Sequence, residues 1–198
     1  MNTVRLVVLT ACLAVVLAGC AAPPKAEVDA VATSLDSAQT AGAQEYAPES
    51  NAAAQDANAQ LQAELKAQEG KFSLMRSYDK ARELAAAAKS AAEKAEQDAV
   101  AGKERARTEA AQAITDAKTA LAEAQALLDK APKGKGSQAD IDAMKADLTG
   151  AEASINEASS TFDAGQYLQA KSKAEAAKTT ADGVKASVEQ AKAAKAAR

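Results

Sequence analysis

The sequence predicts an all-α protein: an elongated, antiparallel, coiled-coil-like helical bundle, built as two tandem three-helix units that share a long helix. Three observations carry this expectation. Ala fills 57 of the 198 positions, and four prolines and nine glycines are the only strong interruptions; Ala is the best intrinsic helix former and Pro the worst. Apolar residues recur at alternating spacings of three and four, the pattern of amphipathic helices with a heptad seam. That pattern then occurs twice along the chain.

Taken in order, the chain opens with Arg5 and an uncharged apolar run from Leu6 to Ala18. Such a run rises only ~20 Å as a helix against a hydrocarbon core of ~30 Å, so residues 1–19 read as an export signal and not a membrane span. Leu17-Ala18-Gly19-Cys20 matches the lipobox of bacterial lipoproteins. The resemblance assigns Leu17, Ala18 and Gly19 to recognition by the lipoprotein signal peptidase, since small residues suit an extended chain in a narrow protease groove. It assigns Cys20 as the thiol that takes the lipid and is acylated with palmitate. A residue other than Asp after that cysteine, here Ala21, implies by the same resemblance an outer-membrane location facing the periplasm. Burying acyl chains contributes ~0.8 kcal/mol per CH₂, so such anchoring is effectively permanent. Loss of Arg5 with the signal takes the formal charge from −3 to −4. Residues 20–25 contain Pro23-Pro24 and read as a short tether.

Helices are expected over 26–43, 49–70, from 73 onward, 138–161 and 166–196. Their apolar series run Ile141, Met144, Leu148, Ala151, Ile155, Ala158, Phe162; Tyr78, Ala81, Ala85, Ala88, Ala92, Ala95, Ala99; and Tyr167, Ala170, Ala174, Ala177, Ala181, Val184, Val188. The last two superpose at an offset of 89, and Val28, Val31, Leu35, Ala38, Gln39 match Ile114, Ala117, Leu121, Ala124, Gln125 at an offset of 86. This reads as internal duplication, with 26–113 as the first unit and 114–198 as the second. Phe72 before Tyr78 and Phe162 before Tyr167 mark one equivalent corner in each copy, and turns fall at Ala41–Pro48 and Lys130–Ser137. Between Ala99 and Ala113 the only breaker is Gly102. One interior Gly costs ~1 kcal/mol against Ala and does not stop a helix. The third helix is therefore expected to run on to about 130, near 57 residues and roughly 85 Å at 1.5 Å per residue. Two such units on a shared helix are similar in outline to tandem spectrin-type repeats. Leu35, Leu61, Leu65, Leu84, Leu121, Leu128 and Leu148 are the larger core candidates in a body kept thin by Ala, which buries little area.

The segment Leu35 to Glu49, reading Leu-Asp-Ser-Ala-Gln-Thr-Ala-Gly-Ala-Gln-Glu-Tyr-Ala-Pro-Glu, resembles a family of uncharacterised Gram-negative outer-membrane lipoproteins and periplasmic domains of unknown function. Their shared pattern is a short helix, an A-G-A-x-x-Y-A-P-E turn and a helical hairpin. The second arm of that hairpin carries cations between alanines, as in Tyr78-Asp79-Lys80-Ala81-Arg82. The likeness spans residues 26 to about 98 and departs at Ser50-Asn51, where the family has a Leu-containing start. It implies an envelope location and helical structure, with no assigned activity. Physically, Pro48 pre-sets φ for a helix start, Glu49 suits the first turn of the dipole, and Tyr46 is expected to pack across the corner. The Phe162-to-Ala170 stretch is also similar to a tetratricopeptide corner, although a repeat near 87 does not match the ~34-residue period.

No disulfide, thiolate nucleophile or Cys-rich metal site is expected, because Cys12 leaves with the signal and Cys20 carries lipid. His is absent, which removes the usual general base and commonest metal ligand. Charged residues such as Glu93, Lys94, Glu175 and Lys178 read as solvated helix-face charges. No enzymatic activity and no cofactor are expected. The basic end, Lys192 to Arg198, complements the helix dipole. Alanine-rich murein lipoproteins end in a Lys joined to peptidoglycan; Arg198 stands in that place. The expected function is a lipid-anchored structural or scaffolding component of the cell envelope. The alternative is an adaptor that binds a protein partner through helical-hairpin grooves. Candidate partners are the outer membrane through the N-terminal lipid, peptidoglycan or an envelope protein, and a second copy of the chain; no nucleic-acid contact is expected of an acidic protein.

Overall fold

A computed structural model describes residues 22–131 and 138–196. The fold among them is an all-α helical bundle without strands: α1 Lys25–Thr40, α2 Ala43–Tyr46, α3 Pro48–Glu69, a 3₁₀ turn at Ser73–Met75, α4 Asp79–Asp129, α5 Gln138–Asp163 and α6 Tyr167–Ala196. By packing, the chain divides into two units at Gly102 and Lys103, within α4. The sequence duplication predicts a boundary at 113/114. The buried positions of α4 explain the earlier division, because they follow the three–four heptad rhythm from Tyr78 to Gly102 and then step by four twice, to Ala106 and Ala110. Two consecutive steps of four shift the heptad phase of the seam.

In the first unit α1, α3 and the start of α4 form two layers of core. Val31, Leu61, Tyr78, Ala81, Ala85 and Ala88 make one, with Val28, Leu65 and Leu84 half-buried against it. The second is alanine throughout: Ala38, Ala43, Ala47, Ala54, Ala92, Ala95 and Ala99. Side-chain size therefore falls from Tyr78 toward Ala99, and the backbones can approach closely at the alanine end. Backbone approach is close at Gly102, where an added β-carbon would overlap the Tyr46 carbonyl oxygen and lie 3.1 Å from its carbonyl carbon.

The expected helix over 26–43 ends instead at Thr40. Gly42 takes φ +85 and its N–H donates to the Gln39 carbonyl at 2.9 Å, a left-handed stop that glycine adopts without a Cβ penalty. The single turn α2 follows, and Pro48 opens α3 with Glu49 in its first turn, as the sequence indicated. The expected start of the third helix at 73 is also corrected. Residues 70–78 form a linker, and α4 begins at Asp79 where the Tyr78 carbonyl accepts the Arg82 N–H at 2.9 Å. Helix α4 is continuous through Gly102 but has 51 residues, against the 57 expected.

In the second unit the rest of α4 packs with α5 and α6. Ile114, Ala117, Leu121, Ala124 and Leu128 meet Ile141, Leu148, Ala151, Ile155 and Ala158 from α5 and Ala174, Ala177, Ala181, Val184 and Val188 from α6. Helix α5 closes in a Schellman turn, with Gly165 at φ +80 and the Gln166 N–H donating to the Thr161 carbonyl at 3.1 Å. Across that turn Phe162 and Tyr167 stack at 5.2 Å, tilted by 58°. The two aromatic corners are therefore not equivalent. Tyr78 is 2% exposed, whereas Phe72 is 68% exposed on the linker. Tyr78 follows Phe72 by six positions, whereas Tyr167 follows Phe162 by five across the tighter Gly165 turn, which brings those rings into contact.

Candidate functional site

The residues singled out by the lipobox, Leu17, Ala18, Gly19 and Cys20, lie outside the described residues, as does most of the predicted 130–137 turn. The described chain picks up just after them. The Lys25 N–H donates to the Pro23 carbonyl at 2.9 Å and the Val28 N–H to the Pro24 carbonyl at 3.1 Å, so α1 starts as soon as the prolines allow. Its first turn meets the first turn of α4 through an ion pair of Glu27 with Arg82 at 3.8 Å. The beginning of α1, the end of α3 and the beginning of α4 thus share one end of the first unit.

That end carries the 70–78 linker, of which the sequence predicts 73–78 to be helical. Met75 donates its N–H to the Phe72 carbonyl at 2.8 Å. Arg76 donates from Nη2 to the Glu69 carbonyl at 2.9 Å and from Nε to the Lys71 carbonyl at 3.0 Å, satisfying acceptors that the helix end leaves open. Gln68, the buried polar residue of the core, donates to Glu64 Oε1 at 2.6 Å and accepts the Ser77 N–H at 3.1 Å. The Gln68 amide, aided by Lys80 at 3.5 Å, holds the Glu64 carboxyl below the usual carboxylate range. Phe72, Leu74 and Met75 project from this framework with 68%, 68% and 75% of their surfaces exposed. Three large apolar side chains within four residues of a tied turn form an exposed apolar cluster; among the described residues the other exposed large apolar side chains, Val100 and Leu168, stand singly on helix surfaces.

Elsewhere the described surface is charged, and several of its charges form ion pairs. Glu93 pairs with Lys89 at 3.2 Å and Glu175 with Lys171 at 3.9 Å, while Lys94 and Lys178 turn to Asp98 and Asp182 at 2.6 and 2.7 Å. Between helices of the second unit, Lys171 reaches Glu109 and Lys185 reaches Glu123, each at 2.7 Å. Both pairs span 62 residues and they recur two heptads apart, which places α4 and α6 parallel in that unit. The described surface includes shallow grooves. One of about 340 Å³ lies between α1 and α4 beside Glu27, Arg82 and Lys89. Another, of about 410 Å³, lies beside Glu104, Arg107 and Phe162. Among the described residues no group of three or more His, Cys, Asp or Glu is placed to hold a metal ion. No helix there is long and apolar enough to cross a membrane.

Fold and surface together define an all-α helical-bundle protein with alanine seams and a paired charged exterior. No family model, no curated protein and no solved structure matches the chain.

Proposed function

We propose that the protein is a lipid-anchored helical spacer or scaffold of the cell envelope, attached through Cys20 to the outer membrane and facing the periplasm. The observation that carries this reading is the position of the lipobox directly before a helical body: Cys20 stands five residues ahead of Lys25, where α1 begins. The character of that body supports a structural role. Among the described residues most of its large apolar side chains lie in heptad seams, and its helix faces carry many charged residues, several of them in ion pairs. An adaptor working through hairpin grooves would need an extended apolar face on a helix; among the described residues the exposed large apolar residues on helices are single ones, Val100 and Leu168. The reading includes no catalytic step.

Labelled palmitate tests the anchor. The full chain is expected to incorporate label and the Cys20→Ala chain to lose it, and incorporation by the variant would refute the assignment. In-cell crosslinking followed by purification separates the two functional readings. Recovery with peptidoglycan and without a protein partner supports the scaffold, whereas a stoichiometric protein partner supports the adaptor.

A further inference from the structure

The Phe72–Met75 turn lies at the end of the first unit where the N-terminal segment enters α1. The Glu27–Arg82 ion pair at 3.8 Å and the packing of Val28 and Val31 with Leu61 and Tyr78 put the first turns of α1 and α4 side by side. An extended chain covers at most ~3.6 Å per residue, so a lipid on Cys20 lies within roughly 18 Å of Lys25. The cluster exposed there has the chemistry of a membrane interface: an aromatic, a Leu and a Met at a turn, with Lys71 and Arg76 beside them in the linker. Both charged residues of the 70–78 linker, Lys71 and Arg76, are cations, in a chain of net charge −3. The exposure is built in, since the two Arg76 hydrogen bonds and the Gln68–Ser77 bond hold the turn outward over the buried Tyr78.

We propose that Phe72, Leu74 and Met75 insert into the headgroup–acyl boundary of the same bilayer that holds the Cys20 lipid, with the surrounding cations on anionic headgroups. The inference rests on the lipoprotein reading above. It adds a second, non-covalent contact that fixes the orientation of the first unit on the membrane. Side chains of this class bury shallowly at that depth, and basic neighbours add attraction to anionic lipid.

The chain contains no Trp, so Phe72→Trp introduces a sole indole reporter. The full chain with this change is reconstituted into phosphatidylethanolamine–phosphatidylglycerol vesicles, with and without brominated lipid, and labelled palmitate incorporation is read on the same material. The expected result is a shift of the indole emission to shorter wavelength and loss of intensity with brominated lipid. A Val100→Trp chain, reporting from the alanine end of the same unit, is expected to stay solvent-like and unquenched. Palmitate incorporation without quenching at position 72 overturns the membrane contact and leaves the anchor intact. Quenching without incorporation overturns the anchor and keeps the contact. Equal quenching at positions 72 and 100 overturns the proposal as unspecific adsorption. A blue shift that appears without lipid and grows with protein concentration overturns it in favour of a second copy on the turn.

Discussion

The backbone carbonyl of Tyr46 occupies the space beside Gly102 that any other residue would fill with a β-carbon. This contact joins the α2 corner to α4 and gives an interior helix glycine a packing role. Gly102→Ala is therefore expected to destabilise the protein by ~1–3 kcal/mol, as overpacking does, although helix propensity alone would favour Ala by ~1 kcal/mol. Gly150→Ala and Gly183→Ala, where an added β-carbon meets nothing within 4 Å, are expected to stabilise by up to ~1 kcal/mol each. Denaturant unfolding of the three variants checks the opposite signs.

Gly42 and Gly165 both sit at positive φ, +85 and +80. Gly165→Ala has open space and is expected to cost ~1 kcal/mol, from left-handed strain alone. Gly42→Ala adds a contact of 3.0 Å with the Tyr46 ring and is expected to cost more. Thermal unfolding ranks them, and equal losses would show that the ring gives way freely.

Gln68 links α3 to the linker by accepting the Ser77 N–H. Gln68→Leu keeps the volume but leaves that donor unpaired, and a loss of ~1–3 kcal/mol is expected. Hydrogen exchange at the Ser77 amide is expected to quicken together with the fall in stability. Unchanged protection there would show that the bond is dispensable.

The Lys171 ammonium donates to Glu109 at 2.7 Å and holds that carboxyl below its ordinary value of 4.5, while Glu109 raises Lys171 above its ordinary value of 10.5. A lowered carboxyl contributes stability that is complete above its unfolded value and is lost as pH falls through its folded value. A raised ammonium contributes below its unfolded value and loses that contribution as pH rises through the folded one. Glu109→Gln is expected to lower Tm slightly at pH 7, with the gap to the parent closing in acid below pH 4.5 and in high salt, because the pair is exposed. Calorimetry across pH reads this directly, and a gap that persisted in acid would assign the loss to packing.

The sequence by itself determined which residues face inward. Tyr78 to Ala99, Ile141 to Phe162 and Tyr167 to Val188 form seams because burial on a helix follows a local period of three and four, visible without any partner. The Pro48 start and the continuity of α4 were legible for the same reason: both depend on residues adjacent in the chain. The tertiary structure decided what each marker does. Gly102, Gly150 and Gly183 carry the same propensity cost, and only the neighbouring backbone of Tyr46 distinguishes the first. Phe72 and Phe162 look alike in sequence, yet the left-handed Gly165 turn brings one ring onto Tyr167 while the Arg76-tied linker holds the other outward. Lys171 has Glu175 four residues away, but the parallel register of α4 and α6 also brings it to Glu109. Each of these outcomes depends on contacts between residues far apart in the chain, and local periodicity carries no information about them.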